Sequence, residues 1–236
     1  MSDALGRAVL VLIPAHDEAS RIAPVITGAL HAAPVVVVDD GSTDSTAAVA
    51  AAAGANVVSQ RPNQGKGAAL RTGFRHALET GAEAVVTLDA DGQHDPAEIP
   101  RLLAARATAR LAGATPELVI GRRSFGSMPL VRRLSNSVGT VLLSAALGRW
   151  VPDNQSGYRV LGRRLMTAML DSRDDGFAFE VEMIAVCLRE RWSIGWVPIR
   201  TIYGDERSHI RPLRHLREFL AVTARARAIS RGAALS

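Results

Sequence analysis

Several groups that many functions depend on are scarce in this chain of 236 residues. A single cysteine, Cys187, excludes an internal disulfide and any zinc site built on several thiolates. It sits in the apolar run Met183-Ile184-Ala185-Val186-Cys187-Leu188, which marks it as a small buried hydrophobe. Aromatic residues make up 4% of the chain, and no stacking-rich motif is present, so a nucleic-acid platform is not expected. No apolar run approaches the ~20 residues of a membrane span; the best, Val138 to Leu147, is about half that length. Residues 2–8 hold no basic cluster leading into a long apolar stretch, so no secretory signal is expected. The expectation is a cytoplasmic protein, or one peripheral on the cytoplasmic face of a membrane. Lysine is also nearly missing: of 28 basic residues, Lys66 is the only lysine.

What is present is enough for a sizeable core, with 47% hydrophobic residues. A formal charge of +5 favours anionic partners such as nucleotides or phospholipid headgroups. The length suggests one domain with a C-terminal extension.

Apolar runs and helical patterns alternate through the first half. Ala8 to Ile13 reads as a buried strand stopped by Pro14, and Ala19 to His31 as a helix. Val35 to Val38 is a second strand ending at Asp39-Asp40-Gly41. Ser42-Thr43-Asp44-Ser45 offers cap oxygens for a helix running to Ala53. Asn56 to Ser59 is a third strand, Gly67 to Thr80 a helix, and Ala84 to Leu88 a fourth strand. This order predicts an α/β fold with a mostly parallel central sheet flanked by helices. Ligands of such sheets sit beyond the carboxyl ends of the strands. Asp17 and Glu18, Asp39 and Asp40, and Asp89 and Asp91 are predicted to share that rim.

The second half is less regular. Pro96 to Ala109 reads as a helix and Leu118 to Gly121 as a short strand before Arg122 and Arg123. Leu130 to Leu147 and Gly176 to Arg191 read as helices, and Trp196 to Ile202 as a strand. From Leu213 onward, apolar residues alternate with Arg214, Arg217, Arg225 and Arg227. The division expected is a catalytic domain over 1–212 and a basic amphipathic helix over 213–236.

Three segments carry chemistry. Asp89-Ala90-Asp91-Gly92-Gln93-His94 follows an apolar strand, and two carboxylates one small residue apart can approach one divalent cation. Hard oxygen ligands suit Mg²⁺ or Mn²⁺, which hold a diphosphate and neutralise charge on a leaving nucleoside diphosphate. Asp95 reads instead as an N-cap, with Pro96 at the first helical position. The acids ending the Val35–Val38 strand can bind ribose hydroxyls or a base N–H, yet no Gly-x-Gly-x-x-Gly follows the first strand, which argues against NAD or FAD. Asn63-Gln64-Gly65-Lys66-Gly67 could bring amides and a cation to a phosphate, although it is no P-loop.

Taken in order, Pro14-x-x-x-Glu18, VVDDGSTD, NQGKG, LDADGQHDP, Gly121-Arg122-Arg123 and Asp153-Asn154-Gln155-Ser156-Gly157-Tyr158-Arg159 resemble the inverting glycosyltransferases of the GT-A fold, family two. The nearest branch is that of dolichol-phosphate mannose synthase-like, polyprenyl-phosphate glycosyltransferases, over about residues 8 to 212. The resemblance implies transfer of a hexose from a GDP- or UDP-sugar to a polyprenyl phosphate. It implies a nucleotide-sugar pocket of Pro14, Ala15, Glu18, Asp39, Asp40, Gly65, Lys66, Asp89, Ala90 and Asp91. Asp89 and Asp91 would hold the metal, with Gln93 as a further ligand. An acceptor phosphate is already anionic, so placement and charge stabilisation matter more than a strong base. Arg122, Arg123, Arg132, Asn136, Arg207 and Ser208 are the residues expected around it. Arg132 and Asn136 share a helical stripe, with Arg133 and Ser137 as a rival pair. His209 stands where a lysine is frequent in the family. Asp91, Asp153 and Arg122 are the expected catalytic residues, Asp153 orienting the acceptor or serving as a base toward a hydroxyl.

Other readings compete. A soluble hydroxyl acceptor keeps the same fold. A processive polysaccharide synthase is disfavoured, since Leu188 stands where its Gln-x-x-Arg-Trp signature needs glutamine before Arg191-Trp192. A sugar-phosphate nucleotidylyltransferase would need a glycine-rich loop after the first strand. A basic scaffold on nucleic acid or membrane is favoured by charge alone. Membrane contact could come from the basic residues between Arg211 and Arg231 or from an anchoring subunit. Trp192 and Trp196 read as core residues, and Glu180 and Glu182 as solvated or structural helix acids.

Overall fold

Continuous apolar runs form largely buried strands, and three of them, with a more exposed strand at the sheet edge, build the first half of the sheet. These are β1 (Val9–Ala15), β2 (Val35–Asp40), β3 (Asn56–Gln60) and β4 (Ala84–Thr87). The computed structural model describes residues 9–123, 130–176, 178–200, 202 and 212–235, and for 130–136 and 212–216 the backbone alone. Helices α1 (Ile22–Leu30), α2 (Thr46–Ala52) and α3 (Lys66–Glu79) connect the four strands. The second half adds α4 (Ile99–Leu111), β5 (Leu118–Arg123), α5 (Leu130–Leu147), β6 (Arg159–Gly162), α6 (Arg163–Met169), α7 (Ala178–Arg189), β7 (Ile194–Ile199) and α8 (Pro212–Ser230).

The sheet has seven strands in the order β3-β2-β1-β4-β6-β5-β7. Only β6 runs against its neighbours, pairing antiparallel with both β4 and β5. The expected mostly parallel α/β sheet is therefore present. Successive residues of each strand enter opposite layers, as the two-residue period requires. Leu12, Val36, Val38, Val85 and Leu118 pack with residues of α3, α6 and α7. Val11, Ile13, Val35, Val37 and Val86 pack with residues of α1 and α4 on the other face.

One feature of the register opens the binding side. Pairing of β1 with β2 runs on to Ala15–Asp39, whereas pairing of β1 with β4 ends at Leu12–Thr87. The strands part beyond that point, and Pro14 stands at the parting with no N–H to be left unpaired. β1 has β2 on one side and β4 on the other, so the parting is the switch point of the sheet, where open α/β sheets take their ligands.

The structure shifts several predicted boundaries. The first helix starts at Ile22, because residues before it form a turn in which the Glu18 carbonyl accepts from the amides of Arg21 and Ile22 (3.0 Å each). Pro96 to Glu98 is a 3₁₀ turn capped by the Asp95 side chain, which accepts from the Ala97 amide as the N-cap reading expects. β6 and α6 have no counterpart in the sequence reading. β6 is only four residues long and begins with an arginine, so it breaks the apolar pattern that marks the other buried strands. Cys187, Trp192 and Trp196 all pack with the core on the α3 face, as expected.

The last helix belongs to the same packed body. Ala226 and Ile229 of α8 are buried with α7, and the Phe219 ring covers Gly139 of α5. Arg225 reaches the buried Glu182 carboxylate at 2.7 Å and Asp174 at 3.5 Å. Ser172 donates to the other Glu182 oxygen at 2.6 Å. No helix among the described residues is long and apolar enough to cross a membrane.

Gly73 marks the tightest contact of α3 with the sheet. A methyl group there would stand 2.3 Å from a Leu12 side-chain carbon that has no free space to move into. Gly73→Ala should therefore lower the unfolding free energy by about 1–3 kcal/mol, against the helix propensity of alanine. Urea denaturation reads this, and a variant as stable as the parent would contradict the close α3–β1 packing.

Candidate active site

The three acidic strand ends meet at the parting of β1 and β4, where a cavity of about 370 Å³ opens. Pro14, Ala15, Glu18, Asp40, Gly65, Lys66, Asp89, Ala90 and Asp91 all line it. His16, Asn63 and Ala69 line it as well and were not singled out from the sequence. Asp39 does not line it. It lies buried, its carboxylate facing the Ser42 amide at 3.4 Å.

The acids of the rim do different work. Asp17 is structural: its Oδ1 accepts from the Thr43 amide at 2.7 Å and the Asp44 amide at 3.3 Å. The Thr43 amide is the main cause holding the Asp17 carboxyl below its ordinary range. In return, Ser42 Oγ accepts from the Asp17 amide and Thr46 Oγ1 from the Glu18 amide. These bonds lace the end of β1 to the end of β2. Asp40 performs a similar task for the next segment. Its Oδ1 accepts from Gln60 Nε2 (2.6 Å) and the Gln64 amide (2.8 Å), and its Oδ2 from the Gly65 amide (2.8 Å).

That arrangement revises the reading of Asn63 to Gly67 as a cradle of amides. The amides of Gln64 and Gly65 point at Asp40, and the Gly67 amide donates to the Asp175 carbonyl at 2.9 Å. The two glycines answer to backbone crowding: a Cβ on Gly65 would lie 2.3 Å from the Asp175 carbonyl oxygen, and one on Gly67 2.4 Å from that of Asp174. What the segment presents to the cavity is the Lys66 side chain.

Lys66 Nζ bridges two carboxylates, Asp89 Oδ1 at 2.6 Å and Glu180 Oε1 at 3.2 Å. Burial opposes the ammonium charge, but Glu180 and Asp89 outweigh it and raise the Lys66 pKa above its ordinary value. The Asp89 carboxyl is likewise lowered: burial works against its charge, and Lys66 more than compensates. Behind Asp89 lies His94, whose Nδ1 receives the Asp89 amide at 3.3 Å. A nitrogen that accepts carries no proton, so the ring is neutral, in keeping with a pKa lowered chiefly by burial. The 3.7 Å approach of the same nitrogen to Asp89 Oδ2 is therefore no ion pair. Asp91 also lines the cavity and accepts from the Gln93 amide at 2.9 Å. Among the described residues, no group of three His, Cys, Asp or Glu side chains forms a ready metal cage. The two carboxylates nevertheless present oxygen donors to one cavity at a strand end, and that set fits a hard divalent ion completed by diphosphate oxygens and water.

A second cavity of about 490 Å³ lies at the ends of β5 and β7. Arg122 and Arg123 line it together with Ser137, Val141, Trp150 and Ile199. Arg122 is exposed, whereas Arg123 is committed to Asp153: Nε reaches Oδ2 and Nη2 reaches Oδ1, both at 2.9 Å. Asp153 is buried in this fork and accepts the Arg123 amide as well (3.0 Å). Arg132 and Asn136 lie on α5 with side chains outside the described residues, and Arg207, Ser208 and His209 lie outside them altogether.

The segment from Asp153 to Tyr158 joins the two cavities. At one end is the Asp153–Arg123 fork. At the other, a Cβ on Gly157 would lie 2.7 Å from the Asp89 carboxylate, so only glycine lets the segment pass. Thr87 Oγ1 donates to the Gly157 carbonyl and Tyr158 Oη to the Asp95 carbonyl. Arg159 lies behind it, fully buried, donating to the carbonyls of Ser156, Asn154 and Glu180. Glu180, read from the sequence as a solvated or structural helix acid, is thus brought against Lys66, which lines the 370 Å³ cavity. Its signal was weak because the contact with Lys66 spans more than a hundred residues.

Comparison with known proteins agrees with this geometry. The model of a family described as glycosyl transferase family 2 matches residues 10–169. An undecaprenyl-phosphate mannosyltransferase of Micrococcus luteus is 34% identical, over 81% of this chain and 82% of that protein. A UDP-N-acetylglucosamine–dolichyl-phosphate N-acetylglucosaminyltransferase of Methanococcus voltae is 28% identical, over 84% and 86%. Among solved structures, glucosyl-3-phosphoglycerate synthase of Mycobacterium tuberculosis with Mn²⁺, UDP-glucose and phosphoglyceric acid superposes with a TM-score of 0.73 at 27% identity, covering 96% of this chain and 82% of that one.

The lowered pKa of Asp89 has a consequence for stability. Its contribution is complete above the unfolded carboxyl value of about 4 and is lost as pH falls through the lower folded value. Asp89→Asn should flatten the stability profile below about pH 4, where the unfolded carboxyl takes up its proton. Denaturant titrations across that range read the slope, and an unchanged slope would refute the Lys66–Asp89 pairing.

Proposed function

We propose that this chain, which belongs to glycosyl transferase family 2, moves a hexose from a nucleoside diphosphate sugar to a polyprenyl phosphate. The observation that carries the acceptor is the lining of the 490 Å³ cavity. It joins the Arg122 and Arg123 guanidinium groups to an apolar wall that includes Val141, Trp150, Pro152 and Ile199, and among the described residues no carboxylate lines it. Such a surface suits an amphiphile with a phosphate head. The nearby Asp153 carboxylate is held by Arg123 and so is poorly placed to serve as a base toward a hydroxyl. A phosphate oxygen needs none, being already anionic. The relatives named for undecaprenyl or dolichyl phosphate support the same reading.

In this reading the 370 Å³ cavity takes the donor. Pro14, Ala15 and Glu18 border the nucleotide, and Asp40 shapes the pocket by holding the Gln64 and Gly65 amides. Asp89 and Asp91, with Gln93, would hold a divalent ion, Mg²⁺ or Mn²⁺, which supplies neutralisation of the charge growing on the departing diphosphate. Lys66 adds a positive charge beside Asp89. Arg122 positions the acceptor phosphate, and Asp153 keeps Arg123 oriented at the mouth between the two cavities. Catalysis is then in-line placement plus electrostatic stabilisation.

The exposed Trp150 and Val141 beside the arginines are placed to meet a lipid tail at a membrane surface. Exposed Arg217, Arg227 and Arg231 would add about 1 kcal/mol each near an anionic bilayer, whereas Arg225 is already paired with Glu182.

Two experiments test the assignment. Asp91→Ala should reduce sugar transfer by about three orders of magnitude, as expected when transition-state charge loses its stabilising partner, and abolish metal-dependent nucleotide binding. Full activity in that variant would end the donor-site reading. Arg122→Ala should raise the KM for a short polyprenyl phosphate about tenfold while leaving the donor KM within about twofold, the loss expected for one charge-assisted hydrogen bond. An effect confined to the donor would remove Arg122 from the acceptor site.

A further inference from the structure

Three carboxylates, Asp89, Asp91 and Glu180, converge on the donor side, and they differ in access to solvent. Asp89 and Asp91 line the cavity, whereas the Glu180 side chain is 5% exposed in the first turn of α7. A carboxylate so far from water needs a cationic partner. Lys66 is that partner, and its ammonium touches Asp89 at the same time. Among the described residues lining the cavity, Lys66 is the only lysine or arginine. Asp89 Oδ1 thus meets an ammonium, while Oδ2 faces His94 at 3.7 Å. A cation arriving at Asp89 finds one of its two oxygens already paired with a cation.

We propose that Lys66 is the resident cation of the donor site: Glu180 holds it on Asp89 Oδ1 while the site is empty, and a divalent ion must compete with it for that oxygen. The diphosphate of the arriving nucleotide gives the displaced ammonium a new anionic partner. Free metal is then bound weakly, and metal and nucleotide support one another. Lysine suits the task because its charge is compact and its stem flexible, so it can leave one anion for another, where a forked guanidinium would stay bidentate. Glu180 is a positioning residue here, acting through Lys66 and touching no substrate. The inference rests on the donor-site reading given above.

The test separates metal binding from nucleotide binding. Mn²⁺ binding without nucleotide is followed by electron paramagnetic resonance, and UDP or GDP binding at saturating Mn²⁺ by calorimetry, in the parent, Lys66→Met and Lys66→Met/Glu180→Gln. The double variant removes the carboxylate that Lys66→Met would leave buried and unpaired, and so guards against a folding defect. Both variants should bind free Mn²⁺ about tenfold more tightly than the parent and the nucleotide about tenfold more weakly, changes of the size that one charge at this range produces. A purely structural Lys66 would weaken both, and that result would overturn the inference. Unchanged Mn²⁺ affinity in folded variants, beside a parent that binds Mn²⁺ with nucleotide normally, would overturn it alone. A parent that binds no Mn²⁺ with either nucleotide would remove the donor-site reading and this inference with it.

Discussion

A buried guanidinium with no carboxylate in direct contact holds the two cavities in one frame. Arg159 is fully buried, and burial lowers its pKa, yet a guanidinium stays charged in a protein. Carbonyl dipoles meet that charge: Ser156 at 2.8 Å, Asn154 at 3.1 Å and Glu180 at 2.5 Å. Two of these belong to the segment that begins at Asp153, and the third to the first turn of α7. One side chain therefore sets both the loop that passes Asp89 and the helix that delivers Glu180 to Lys66. The Glu180, Asp153 and Asp89 charges around it offset part of its burial cost without an ion pair. Such a centre is intolerant of substitution by size alone, because three carbonyls would lose their donor.

The acids of the rim illustrate how one residue type is divided among tasks. Asp17 and Asp44 spend their oxygens on backbone and hydroxyl donors of neighbouring turns. Asp40 spends both of its oxygens on side-chain and amide donors of the next segment. Asp89 and Asp91 remain the pair that presents oxygens to the cavity from a single strand end. The surrounding acids keep the loops in place so that this pair need not. An acidic rim read only as charge would overstate the number of groups that meet a ligand.

Much of this was legible in the sequence, for a physical reason. Buried parallel strands are continuous apolar runs, and their carboxyl ends are the binding side, so Val35–Val38 followed by Asp39-Asp40 and Ala84–Leu88 followed by Asp89 locate the site without coordinates. What stayed hidden depends on long-range contact. The fork between Arg123 and Asp153, thirty residues apart, is not written in either local pattern. Nor is the approach of Asp174 and Asp175 to Gly65 and Gly67, which explains glycines that local reasoning gave to a phosphate. β6 was missed because its first residue is an arginine, and a fully buried arginine contradicts the polarity rule that sequence reading relies on.

The separation of the two cavities also bears on how one fold serves different acceptors. The donor side is built from β1, β2 and β4 and the start of α3, and its side chains are fixed by bonds among themselves. The second cavity is built from β5, β7, α5 and the segment before Pro152, and its described lining sets two arginines beside a largely apolar wall. Replacing an apolar wall costs little where no hydrogen-bond network runs through it, whereas altering the donor side would disturb several loops at once. A lipid phosphate and a small phosphorylated acceptor can then be accommodated by related chains that share the donor half. In the proposed reading, the chemistry common to both is an anionic group brought to the arginines at the end of β5, and the wall beyond them decides what that group is attached to.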